Sequence, residues 1–238
     1  MAEDCPGADK AIATDRPDVT NSSLVIPKGS FQSENGLNVS SQGRQRGFDG
    51  ANSRLRLGVA QCLEVLVDLP TRFFAVRGNG SEGIANIAPA VKWQISPDPG
   101  KFDLSATFGV GLPTGSRTLN GPGAQPYLQF PWSKELADGW GISGMFTLLS
   151  RPSDMVSRLT TETTFVIEKE IAAGVDLFTE YVGDFPDHGR SRQFINSGAS
   201  WQVTKSQQLD MHLAFGLNSN SPNYSIGLGY SFRHDGLF

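Results

Sequence analysis

Tyr224-Ser225-Ile226-Gly227-Leu228-Gly229-Tyr230-Ser231-Phe232, close to the end of the chain, alternates without a slip. Tyr224, Ile226, Leu228, Tyr230 and Phe232 fall on one face, and Ser225, Gly227, Gly229 and Ser231 on the other. A period of two is that of a β-strand, whose successive side chains point to opposite faces. A soluble sandwich strand turns its bulky face to a partner sheet and shows water a charged or polar one. Here the second face is glycine and serine, small and uncharged. The pattern suits a wall with lipid outside and a crowded polar lumen inside.

Composition agrees. Charged residues make up 18% of the 238, below the about 25% usual for soluble domains. Glycine is abundant, at 27 residues. A net charge of −4 carries no nucleic-acid footprint. No apolar run nears the roughly 18 residues of a membrane helix; the longest near-candidate, Gly139 to Ser150, is short and broken by glycine and serine. Only helices and closed barrels satisfy their backbone in lipid, so a membrane reading of this chain means a β-barrel. The chain opens Met1-Ala2-Glu3-Asp4-Cys5 with no signal-peptide pattern, and a signal cleaved ahead of Ala2 is the expectation.

The same alternation recurs along the chain. Over 101–113, Phe102, Leu104, Ala106, Phe108, Val110 and Leu112 face one way, and Asp103, Ser105, Thr107, Gly109 and Gly111 the other. Over 208–218, Leu209, Met211, Leu213, Phe215 and Leu217 oppose Asp210, His212, Ala214 and Gly216. Twelve strands are expected: 31–43, 51–61, 63–76, 83–96, 101–113, 124–135, 139–150, 158–170, 174–185, 192–204, 208–218 and 223–233. Their connections alternate between tight turns (at Cys62, 97–100, 137–139, 172–174 and 205–207) and a set that is mostly longer and polar (42–52, 78–81, 114–123, 151–157, 184–190 and 219–223). Short periplasmic turns and long outer loops mark outer-membrane barrels. An even count puts both termini at the short-turn rim. Phe31, Trp93, Phe102, Trp132, Trp140, Trp201, Tyr230 and Phe232 lie near strand ends, where interfacial aromatics belong. The expected organisation is an N-terminal segment, 1–30, followed by an all-β transmembrane antiparallel up-and-down barrel, 31–238.

Several stretches resemble the bacterial outer-membrane channel family described as a MetA pathway of phenol degradation, or simply as transporters. They are Thr14-Asp15-Arg16-Pro17-Asp18-Val19-Thr20; Pro27-Lys28-Gly29 with Gln32 and Glu34; Arg54 to Gly58 followed by Leu63-Glu64-Val65; Leu112-Pro113-Thr114-Gly115-Ser116; Thr179-Glu180-Tyr181; and Gly227 to Phe232. The likeness spans nearly the whole chain, and Thr-Asp-Arg-Pro-Asp is its most specific piece. Gln61-Cys62 departs from it, since such proteins tend to carry an Asp or Asn there. The resemblance implies uptake of small molecules, with a link to aromatic compounds.

Inward positions hold many acids: Glu34, Glu64, Asp68, Asp103, Glu162, Glu168, Asp176, Glu180 and Asp210. Arg54, Arg56 and Lys92 are the inward bases, and His212 shares a face with Asp210. These groups read either as an ion-pair network filling the interior or as a selectivity surface, since rings of one sign bias ion passage. With the acids concentrated over 158–218 and the arginines on 51–61, a transverse field is expected. Twelve strands enclose more room than eight, whose side chains just fill a barrel. The N-terminal segment is therefore expected to fold back into the lumen as a plug, with Asp15, Arg16 and Asp18 pairing there; the alternative is a periplasmic tail. Cys5 and Cys62 are too few for a structural zinc site. They fall at the same rim, where one disulfide would tether the segment; the other reading is two free thiols.

Gly78-Asn79-Gly80-Ser81-Glu82-Gly83 matches the dinucleotide fingerprint, but an alternating strand follows it where a helix is required, so it reads as a loop. Lipid-modifying catalysis would need a histidine at the lipid face near the outer leaflet. His188 and His234 fall in an outer loop and at the periplasmic end, and His212 faces inward, so no enzyme is expected. The function expected is passive diffusion of small molecules, hydrophobic or aromatic ones among them. A non-conducting interaction barrel and a soluble β-barrel binding protein are the alternatives. Lipid and lipopolysaccharide around a monomer and a small solute inside it are the expected partners, with no nucleic acid, cofactor or metal.

Overall fold

The computed structural model describes Cys5, Gly7 and residues 9–77, 82–98, 102–152 and 157–238. β1 (Phe31–Gln42) opens the sheet. β2 (Gln45–Gly50) and β3 (Arg54–Ala60) pair end to end with β1 and form one barrel strand, interrupted at 51–53. β4 (Leu63–Asp68) pairs with β3, and β5 (Arg72–Arg77) with β2, so 69–71 interrupts the next. β6 (Gly83–Ile84) and β7 (Ala88–Asp98) make the one after, with 85–87 between them. Unbroken strands follow: β8 (Phe102–Gly111), β9 (Gln125–Glu135), β10 (Trp140–Pro152), β11 (Ser157–Ala172), β12 (Val175–Pro186), β13 (Arg192–Thr204), β14 (Gln207–Gly216) and β15 (Tyr224–His234). One short helix, α1 (Arg117–Asn120), lies between β8 and β9.

Each strand pairs antiparallel with the next, and β15 pairs with β1 over eleven residues, from Phe31↔His234 to Ser41↔Tyr224. The sheet therefore closes as a twelve-stranded antiparallel barrel with no free edge, which is how a sheet survives in lipid. Its core is inverted. Val76 is 65%, Phe108 60% and Leu228 60% exposed, whereas Glu34, Glu64 and Glu180 are 0% exposed. Apolar side chains cover the outside and charged ones are sealed within, as lipid requires and water forbids. The soluble-barrel alternative fails on this face. Near the tight-turn rim, Trp93, Trp140 and Trp201 lie outward and about half exposed. The Phe102 and Trp132 rings stack at 5.8 Å, and Lys169 Nζ sits 5.2 Å over the Trp140 ring. An aromatic body with a cation at its edge matches the polarity of a membrane interface.

One expected boundary was wrong. Residues 42–52 are not a long loop: the chain reverses between Gln42 and Gln45, and β2 occupies 45–50. This stretch carries little apolar alternation because Phe48, packed on Phe74 with ring centroids 6.0 Å apart, is its one large apolar residue among glycines and polar side chains. The Gly78–Ser81 part of the glycine motif lies outside the described residues. Gly83 has φ +151°, and β7 follows shortly after with no helix between.

Candidate functional site: a lumen lined for the N-terminal segment

Strands spaced about 4.8 Å and tilted about 40° close, at twelve, into a barrel roughly 24 Å across between backbones. Two layers of side chains leave room for about one extended chain. That chain is the N-terminal segment. Cys5 is bonded to Cys62 in the β3–β4 turn, with Cα atoms 5.2 Å apart. Cys62 has φ +65°, a left-handed conformation in which Asn, Asp or Gly is the ordinary choice. From there the segment enters the lumen: Ile12 N donates to Lys205 O at 2.8 Å in the β13–β14 turn, and Arg233 Nη2 donates to Lys10 O at 2.8 Å.

Residues 13–27 then make a circuit of the inner wall. Asp15 N donates to Glu34 Oε2 on β1 at 2.8 Å. Val19 N and Thr20 N donate to the two Glu180 oxygens on β12, at 2.9 and 2.8 Å, and Thr20 Oγ1 adds a third bond at 2.7 Å. Asn21 reaches Gln129 and Ser23 reaches Ser133, both on β9, while Ser105 on β8 bonds Ser23 O. Val25 N donates to Gln94 Oε1 on β7 at 3.1 Å, and Ile26 N to Glu64 Oε2 on β4 at 2.7 Å. An irregular segment inside a barrel has no ladder to satisfy its amides, and a bare buried N–H is costly. Inward carboxylates and side-chain amides supply the acceptors.

The arginines supply the donors and neutralise the acids. Arg56, 1% exposed, bonds Glu34 and Glu64 and gives its remaining N–H groups to Ala13 O and Leu24 O. Arg54 grips Asp68 with two bonds at 2.6 and 2.9 Å and reaches Asp15 Oδ2 at 2.9 Å. Lys92 Nζ lies 3.4 Å from Asp15 Oδ1 and 3.9 Å from Glu64 Oε1. The expected transverse field is therefore largely quenched, because Arg54 and Arg56 are matched locally by carboxylates of β1, β4 and the segment. Arg16 crosses to Asp210 on β14 at 3.2 Å. Its guanidinium lies in a notch at the barrel seam: Gly36 and Gly229 are direct partners, and a Cβ on either would overlap Arg16. The glycines of the closing strand are thus small where the segment passes.

Other expected groups do not bond the segment directly, though Asp103 meets Gln94 and His212 meets Asn196. Asp18 forms no ion pair among the described residues; it precedes the amides bound to Glu180. Asp103 and Asp176 line a cavity of about 260 Å³ at the tight-turn end, with Asp18, Glu135 and Glu168. Glu162 faces Asp184 across the β11–β12 ladder. His212 stands between Asn196 and Asn38, each amide oxygen 3.0 Å from a ring nitrogen, while Asp210 is taken by Arg16, so the two do not form a catalytic pair. A second cavity, about 420 Å³, opens on the other side of the segment and is lined by Asn52, Arg54, Asn86, Asn120 and Tyr127. Arg16 and Asn21 line both cavities, so the segment is the partition between them.

The family model described as "Putative MetA-pathway of phenol degradation" matches residues 14–234. The chain belongs to this family. Among solved structures it is similar to the COG4313 outer membrane channel from Pseudomonas putida F1, at 13% identity and TM-score 0.65, covering 96% of this chain and 99% of that one. It is also similar to the KdgM porin, at 8% identity and TM-score 0.58, covering 85% and 98%. The β domain of the Bordetella autotransporter BrkA shares the fold at 12% identity and TM-score 0.54, covering 86% and 99%. No match was found among curated proteins. The similar structures are outer-membrane proteins, a class of barrel in which the short turns lie at the periplasmic rim.

Proposed function

We propose that the protein is an outer-membrane channel for small molecules, among them hydrophobic or aromatic ones, and that its N-terminal segment is the gate. The observation that carries this is the partition: residues 13–27 cross the lumen between two cavities and are held by side-chain bonds. A permanent filler would be packed by apolar side chains. Here, among the described residues, Ile12, Val25, Ile26 and Pro27 supply the segment's buried apolar grip, and the disulfide, ion pairs and polar bonds do the rest. Unlike close apolar packing, polar bonds can be remade with water once the segment shifts, at about 1 kcal/mol net for a neutral pair and about 1.5–3 for one to a carboxylate. The aromatic preference rests on the family description and on the channel folds of the similar structures.

Planar-bilayer recording on the intact chain and on a variant lacking residues 6–25 tests this reading. Deletion should raise single-channel conductance severalfold and speed entry of a small aromatic alcohol into proteoliposomes. Equal conductance of the two proteins would remove the gate. A barrel silent in both forms would favour the non-conducting alternative.

A further inference from the structure

His212 lies inward on β14, and its two ring nitrogens face two amide oxygens. Nδ1 is 3.0 Å from Asn196 Oδ1 on β13, and Nε2 is 3.0 Å from Asn38 Oδ1 on β1. Neither amide is free to turn over. Asn196 Nδ2 donates to Glu180 Oε2 on β12, and Asn38 Nδ2 to Asp49 Oδ1 on β2, both at 3.0 Å. Reversing either amide would set its oxygen against a carboxylate. A neutral imidazole carries one N–H and satisfies one of the two oxygens; an imidazolium donates to both. Gly227 of β15 makes the room, since a Cβ there would overlap His212 Nε2 and Asn38 Oδ1.

We propose that His212 is a positioning residue for the N-terminal segment, and that its second proton makes the seating of residues 17–21 depend on pH. The link is Glu180, which is buried, holds Val19 N and Thr20 N, and has no ion-pair partner among the described residues. An imidazolium one amide away offsets that buried charge and keeps Asn196 aligned as a further donor to it. When the ring loses a proton, one amide oxygen faces a bare nitrogen, and the compensation at Glu180 is lost. The ring also borders a cavity of about 210 Å³ whose other walls include Pro17 and Val19 of the segment. Further charges around the ring are matched elsewhere. Arg16 is within electrostatic reach but pairs with Asp210, and Arg192, which lines the same cavity, lies 3.9 Å from Asp184. β1 and β15 present Asn38, Ser225 and Gly227, which do not titrate. Seating that calls for a second proton weakens as pH rises. Glu180 and Asp49 act with the opposite sign, since protonating them removes acceptors at the acid end. The inference rests on the gate reading only for its effect on current.

The test follows ring, segment and current separately in the intact chain, from about pH 4 to 8. The sequence holds three histidines, so an H188Q/H234Q background leaves His212 alone, and its ring nitrogen-15 signals in detergent count the protons. Two N–H groups are expected at the acid end and one at the basic end. Asn38→Ala should lower the midpoint by about one pH unit, a tenfold loss of proton affinity. A nitroxide on Ser22→Cys reads seating by its mobility. That mobility should rise with pH at the same midpoint, and His212→Gln, checked for folding by heat-modifiable gel mobility, should abolish the step. Open probability in planar bilayers should follow the label. A ring neutral throughout, a midpoint unmoved by Asn38→Ala, or a mobility step that persists in His212→Gln would each overturn the proposal. A label that mobilises with pH while the current stays constant would sink the gate and leave the proposal standing.

Discussion

Replacing Glu180 with alanine is the sharpest perturbation of the seated segment. The carboxylate is 0% exposed and accepts from Val19 N, Thr20 N, Thr20 Oγ1 and Asn196 Nδ2. The first three belong to the segment and the fourth to the wall. Hydrogen bonds to a charged group contribute about 1.5–3 kcal/mol each, and three that share one acceptor do not add fully. A loss of about 3–5 kcal/mol for the seated state is the reasonable figure. At about 1.4 kcal/mol per tenfold, residues 17–21 should shift from seated to unseated by a factor of roughly 10²–10³. The tethers at Cys5, Glu34 and Glu64 remain, so the segment loosens locally and stays in the barrel. The readout is open probability in planar bilayers, with heat-modifiable mobility as the fold control. A rise in open probability or in sub-state conductance is expected. Wild-type traces from a well-folded E180A protein would refute the reasoning.

Further outcomes follow from the same contacts. Gly229→Val places side-chain bulk where Arg16 and Asp210 lie, and should raise open probability much as Arg16→Ala does, with little added effect when the two are combined. Arg56→Met leaves Glu34, Glu64 and Asp15 partly uncompensated in a buried site. It should cost about 3–5 kcal/mol and lower the urea midpoint of unfolding from lipid vesicles. Leu228→Arg, on the lipid face midway along β15, should cost about 2–4 kcal/mol in the same assay while leaving conductance unchanged.

The barrel was legible wherever lipid meets one face. Residues 102–112 and 224–232 alternate because a membrane punishes a polar side chain outside and leaves the inside free to be polar. Legibility ended where that constraint ends. β2 reads Gln-Arg-Gly-Phe-Asp-Gly, in which Phe48 alone marks an apolar face. The interruptions at 51–53, 69–71 and 85–87 depend on how three neighbouring strands fit one another, which no single strand records. Inward parity identified the lumenal acids, but their partners were hidden. Glu180 holds two peptide amides where an ion pair or a pore-lining charge was expected, and Glu34 and Glu64 divide themselves between Arg56 and further amides. Gln32, Gln94 and Gln208 also serve the segment, and their only signal was a polar residue on an inward position. An irregular segment has no period, so its register against the wall exists only in three dimensions.

The central claim is that the N-terminal segment must move for solute to pass. Thr20 Oγ1 of the segment and Thr164 Oγ1 of β11 share a hydrogen bond at 2.5 Å, so cysteines at these two positions would bring their Sγ atoms together. T20C/T164C, made in a C5S/C62S background, locks the segment to the wall when oxidised and frees it when reduced. Single-channel recording before and after reductant reads the result. The account predicts that the oxidised protein stays closed and that reductant restores the current of the background protein; identical currents in the two states would contradict it.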